Sequence, residues 1–179
     1  RVVYEKGVHV LVEAAPHVLA QMPGTKFVVA GTGSYLDQVR ARAHALGVAD
    51  KFFFTGFIPD EDRDRLFKVA DAAVFPSLYE PFGIVALEAM AARAPVVATS
   101  VGGLGEVVTN HETGTTVYPD SAESLAWGLL HTLQRPDWAR MRVENAYRMV
   151  REQYNWGRIA NMTCAVYDRV MSERHQVSW

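Results

Sequence analysis

Residues 72–99, AAVFPSLYEPFGIVALEAMAARAPVVAT, decide the fold. An apolar run of strand length at 72–76 leads into a loop carrying Tyr79-Glu80-Pro81, a helical stretch FGIVALEAMAA fills 82–92, and a second apolar run closes the unit at 96–99. A strand followed by a crossover helix and another strand pairs in parallel. Strands that are apolar nearly throughout are those covered on both faces. The same beat extends in both directions, with residues 26–30, 52–55 and 115–118 as further strands. A helix after Gly7 places Val8, Leu11, Ala15, Val18 and Met22 on one face and stops at Pro23-Gly24, with a kink expected at Pro16. Ser34 is expected to cap a second helix with the stripe Leu36, Val39, Ala43 and Leu46, closed by Gly47. Asp60 is expected to cap a third, ending near Val69. From Ser121 the period is helical almost to the end, in segments split at Pro136 and Asn155. The expected architecture is α/β: a parallel sheet sandwiched by helices over residues 1–179 as a single domain, with 121–174 as its helical tail.

Length and composition narrow the function. A chain of 179 residues is long enough to bury a real core, and 49% apolar with 21% charged residues describes a globular protein rather than a disordered one. Its 18 basic and 20 acidic side chains argue against nucleic acid as a partner. The single Cys164 excludes an internal disulfide and a cysteine-rich zinc site, which fits a reducing compartment and makes the cytoplasm the expected location. No apolar run approaches the roughly 20 residues that cross a bilayer, and the start RVVYEKG lacks a signal peptide's apolar stretch. A doubly wound sheet normally opens with a central strand, yet Arg1 already stands in the loop before the first helix. The first strand is therefore expected to be missing, and its gap to be filled by residues 2–4, by another chain through domain swapping or oligomeric association, or not at all.

Ligands of open parallel sheets bind outside the carboxyl ends of the strands. Four loops lie there: Gly31-Thr32-Gly33, Gly56-Phe57-Ile58-Pro59, residues 77–83 and residues 100–103. Glu88 is the only polar side chain within 82–92 and is expected to be buried. An unpartnered carboxylate there costs several kcal/mol, so either protein groups or a ligand such as a ribose must donate to it. Pro81 biases Glu80 toward extended backbone, which places its side chain at the cleft ahead of the helix. Gly83 and Ile84 fall in the first turn, where free N–H groups favour an anion. Arg1 and Lys6 approach from the other side, and two cations match a diphosphate.

Other chemistries fall away. Gly31-Thr32-Gly33 has Leu36 where a third glycine would complete a dinucleotide fingerprint, and no acid closes the next strand. His9, His17, His44, His111, His131 and His175 show no metal-ligand spacing, so no metal site is expected. There is neither a Walker loop nor a Gly-x-Ser-x-Gly elbow. The two glutamates differ too much in setting to form a glycosidase pair.

Arg1 with Lys6-Gly7, GTGSYLDQ at 31–38, FTGFIPDEDRDRLFKVAD at 54–71, the run PSLYEPFGIVALEAMAARAPVVATSVGGLGEVV at 76–108 and ETGTTVYP at 112–119 together resemble the retaining nucleotide-sugar glycosyltransferases of family 4 (group 1), glycogen-synthase-like members included. The resemblance departs from the family pattern at Tyr4 and Gly105, where proline is common. It covers only the C-terminal, donor-binding half of a GT-B fold, a Rossmann-like unit, and implies an acceptor-binding half elsewhere. It implies an enzyme that transfers a hexose from a UDP, ADP or GDP sugar to an acceptor with retention and without a metal or other cofactor. Arg1 and Lys6 would hold the diphosphate. Backbone groups of Phe82, Gly83 and Ile84 would meet the distal phosphate and sugar, and Glu80 the sugar hydroxyls. Glu88 would bind the ribose, while Gly31, Phe57 and Ile58 would frame the donor. An epimerase or phosphorylase of GT-B type, or a non-catalytic sugar-nucleotide-binding or interaction module, stays open as an alternative.

Overall fold

The computed structural model describes residues 1–174, so His175 lies outside the described residues. The five expected strands form as β1 (Phe27–Ala30), β2 (Phe52–Gly56), β3 (Ala73–Phe75), β4 (Val96–Thr99) and β5 (Thr115–Val117), and every pairing is parallel. All four residues of β4 are buried, as a strand flanked on both sides by β3 and β5 requires. Its side chains alternate between two cores. Val97 joins a cluster with Val10, Val18 and Leu129, while Val96 and Ala98 join one with Met90, Leu104 and Ala146.

The ladder is not continuous. β1 pairs only with β2, and β3, β4 and β5 form a separate ladder. Residues 2–4 do not fill the gap. Val2 is fully buried, but its N–H donates to Thr32 O at 2.8 Å and its carbonyl accepts from Tyr35 N–H at 3.1 Å, which ties it to the loop after β1. The expectation of full cover also fails for β1–β2. Val28 and Phe53 are register partners on one face, and both stand open to solvent in the described residues.

The helices are α1 (Val8–Gln21), α2 (Leu36–Ala45), α3 (Asp60–Val69), α4 (Ile84–Ala91), α5 (Gly102–Val107), α6 (Ala122–Leu133), α7 (Pro136–Gln153) and α8 (Trp156–Arg174). α1 runs through Pro16 without interruption, losing there only the N–H that would have reached Val12. Two expected caps are corrected. Tyr35, not Ser34, precedes α2, and backbone carbonyls of Gly33 and Val2 receive the N–H groups of Leu36 and Tyr35, so no side-chain oxygen is needed. Pro59 precedes α3, and Asp60 is already helical, sharing the first turn with Glu61 and Asp62 where the helix dipole favours acids. Ser121 is a genuine cap of α6, its Oγ accepting from Ser124 N–H at 3.2 Å.

Gly7 fixes the entry to α1. It holds φ 65°, and a Cβ there would lie 1.9 Å from the Pro76 carbonyl oxygen. By contrast, a Cβ at Gly24 would meet nothing within 4 Å. Gly7→Ala is expected to destabilise by about 3 kcal/mol, and Gly24→Ala to change stability by under about 0.5 kcal/mol, both read from denaturant unfolding midpoints.

Candidate functional site

The carboxyl ends of the strands converge where expected, and short backbone approaches hold them. Leu78 N–H and Tyr79 N–H both donate to Glu5 O, at 2.7 and 3.3 Å, so the turn before α1 lies against the loop after β3. Gly103 N–H donates to Glu80 O at 2.9 Å. Cβ atoms at Gly102 and Gly103 would fall 2.2 and 2.3 Å from the carbonyl oxygens of Glu80 and Phe82, so only glycines admit this packing. On the other side, Gly31 N–H donates to Gly56 O at 2.7 Å, which sets the Gly31 loop beside the Phe57 loop. Arg1 adjoins Gly31, its backbone nitrogen 3.7 Å from where a Cβ would stand.

Glu80 is the better-buried acid, against the expectation that this place belonged to Glu88. Its side chain is 11% exposed and ion-pairs with Lys6, whose side chain is 30% exposed. The other carboxylate oxygen accepts from Gly83 N–H at 3.4 Å. Burial pushes the Glu80 carboxyl up, but the Lys6 ammonium and the N–H groups of Gly83 and Phe82 outweigh it and hold the group below the ordinary carboxylate range. Gly83 takes φ 77° and opens α4. The next amides, of Ile84 and Val85, belong to the first turn and have no acceptor within the helix.

Glu88 lies one turn further along α4. Its side chain is 33% exposed, and Arg63 of α3 approaches it at 3.4 Å while also pairing with Asp60 and Asp64. Burial raises the Glu88 pKa, Arg63 opposes this, and Asp64 and Asp60 add to the rise, so the group stands above the ordinary range. The expected all-buried helix is half right. Ala86, Ala89 and Met90 are buried, but Phe82 and Ile84 are 75% and 59% exposed, as is Phe57 at 80% in the loop after β2. Ile58, next to Phe57, is half-buried. Among the described residues no group of three His, Cys, Asp or Glu side chains is arranged to hold a metal ion, and no helix is long and apolar enough to cross a membrane.

The architecture is that of the GT-B glycosyltransferases, whose solved members it resembles. The chain belongs to the glycosyl transferases group 1 family, whose model matches residues 1–149. It is similar to an uncharacterised glycosyltransferase of Methanocaldococcus jannaschii, 43% identical over 96% of this chain and 44% of the relative. It is 39% identical to the glycogen synthase of Mycobacterium tuberculosis over 93% of this chain and 40% of that one. The chain thus spans less than half the length of these relatives. Among solved structures it is similar to the C-terminal domain of a group 1 glycosyltransferase, LpcC, from Francisella tularensis, with TM-score 0.77 and 30% identity over 87% of this chain and 83% of that one. It is also similar to Anabaena HepE in complex with UDP-glucose, with TM-score 0.83 and 25% identity over 96% and 47% of the two chains.

The two glutamates give stability opposite slopes with pH. Glu80, depressed in the fold, stabilises above its unfolded pKa and loses this as pH falls through its folded one. Glu88, raised in the fold, loses stability as pH climbs from its unfolded to its folded value. Glu80→Gln is expected to cost about 2 kcal/mol at neutral pH and to flatten the acid limb, and Glu88→Gln to remove the loss on the rising side. Unfolding free energies measured in denaturant from pH 3 to 8 check both.

Proposed function

We propose that this chain is the donor-binding domain of a retaining glycosyltransferase that transfers a hexose from a nucleotide-diphosphate sugar to an acceptor. The observation that carries the reading is the Lys6–Glu80 pair set against Gly83 at the opening of α4, with Glu88 one turn on. A cation, an acceptor-rich acid and free helix amides thus meet on one edge. The family match, the name of the mycobacterial relative and the UDP-glucose held by the Anabaena neighbour support the same class of ligand.

In this reading Lys6 and Arg1 face the diphosphate, and the first-turn amide of Ile84, next to the Gly83 N–H that Glu80 already accepts, adds partial positive charge. The bond that breaks joins the anomeric carbon to the diphosphate oxygen, and the departing nucleoside diphosphate carries the electron pair, while the acceptor hydroxyl oxygen forms the new bond to that carbon and gives up its proton to the leaving diphosphate. Charge develops on that oxygen, where fixed cations and N–H groups stabilise the transition state more than the ground state and do so without a metal. Glu80 keeps lone pairs for sugar hydroxyls while Lys6 fixes its rotamer, and it acts as a positioning residue. Glu88, above the ordinary carboxylate range with a single approaching cation, gains two donors from a ribose. Phe57 and Ile58 frame the base, and Gly31 contacts the donor. The acceptor site belongs to sequence beyond the matched portion, since the relatives are more than twice as long.

A thermal-shift screen with UDP-glucose, ADP-glucose and GDP-mannose tests this. One donor is expected to raise stability by about 2.7 kcal/mol at a hundred times its Kd. Glu88→Ala is expected to abolish that shift while changing ligand-free stability by under about 1 kcal/mol. If none of the three shifts the protein, donor binding is refuted; if the shift survives in Glu88→Ala, the ribose role of Glu88 is refuted. The 179-residue chain is further expected to bind donor without transferring sugar, and sugar transfer by it in a radiolabel assay would overturn the division of labour.

A further inference from the structure

We propose that the cleft between α1 and the corner joining α6 to α7 binds a compact oxyanion, a phosphate group or a carboxylate, through His131 and Arg135. The argument begins at Arg142, which is 3% exposed on the inner face of α7. Its hydrogen bonds have a fixed direction. Thr132 Oγ1 donates to Gly128 O at 2.8 Å, so Thr115 Oγ1 donates to Thr132 at 3.0 Å and accepts from Arg142 Nη1 at 2.8 Å. Arg142 Nη2 lies 3.0 Å from both His111 Nδ1 and His131 Nε2, and its Nε has no partner.

A guanidinium only donates, so the His131 Nε2 that faces it accepts, and the neutral ring carries its hydrogen on Nδ1. Arg135 Nη1 stands 2.6 Å from that same Nδ1. Two donors therefore point at each other with no acceptor between them. Protonating the ring does not help, because burial and the charges of Arg142, Arg135 and His111 all lower the His131 pKa. Among the described residues no carboxylate reaches ion-pair distance of Arg135 or Arg142, and burial followed by Arg135 is what perturbs Arg142. An oxyanion resolves this clash, accepting from His131 Nδ1–H and from an Arg135 that is exposed and free to step aside.

Room exists beside this pair. A cleft of about 360 Å3 is lined by His131 and Arg135, by His17 and Gln21 at the end of α1, and by Gln134, with Glu123 as its one acid. Trp127 stacks on His131 at 5.0 Å between ring centroids and walls the cleft. Thr115 is the first residue of β5, so this site sits at the amino edge of the sheet, opposite Glu80 and Glu88. It stands independently of the donor reading.

Histidine side-chain 1H–15N spectra recorded during titration with sodium phosphate, and separately with sodium acetate, at ionic strength fixed with NaCl, test the proposal. His131→Gln assigns the ring signals. Phosphate is expected to shift the His131 resonances saturably at millimolar concentration. Arg135→Gln, a change at an exposed position, is expected to weaken that response tenfold or more. Saturation by phosphate alone identifies a phosphate group, and saturation by both anions a carboxylate-tolerant site. A His131 ring that responds to neither anion, or that responds equally in Arg135→Gln, overturns the proposal.

Discussion

The Lys6–Glu80 ion pair is the contact on which the carboxyl edge depends, because of what residues 2–7 connect. Val2 is bonded to the loop after β1, Glu5 O receives two N–H groups from the loop after β3, and Gly7 sits on Pro76. Lys6 completes this strap by meeting Glu80 at the mouth of α4. Removing either partner leaves a poorly solvated charge, a larger loss than the net worth of the pair itself. The same contact explains the glycines opposite, since Gly102 and Gly103 let the backbone of α5 reach the carbonyls of Glu80 and Phe82.

Much of this was legible in sequence. The apolar beat located all five strands, and the glycine-bearing loops marked the edge where the candidate residues gather. The errors have a common physical source, partners distant in sequence. Ser34 failed as a cap because the backbone of Val2 had already met the donors there. Glu80 and Glu88 exchanged their expected burial because composition cannot say which acid finds a cation: Lys6 comes from the chain start and Arg63 from a neighbouring helix. The apolar residues of 82–92 look like core in sequence, although Phe82 and Ile84 stand exposed.

The Arg142 cluster was missed, yet its signal was present. On α7, Ala139, Arg142, Val143 and Ala146 share one buried stripe, and an arginine in an apolar stripe announces a buried guanidinium that must find acceptors. His111 and His131 supply them from separate elements, which no single helix pattern could reveal.

The divided ladder has a mechanical meaning. Hydrogen-bonded strands resist shear because their bonds are directional, whereas packed methyl groups slide at small cost. Among the described residues β1–β2 and β3–β4–β5 share no ladder hydrogen bond, and packed side chains, the strap of residues 2–7 and the connection through α3 join them. The candidate site therefore draws on both ladders: Gly31 and Phe57 follow β1 and β2, while Glu80 follows β3 and Glu88 lies on α4, and one shared apolar core with Phe27, Phe52, Val97 and Val117 holds the two sets in register.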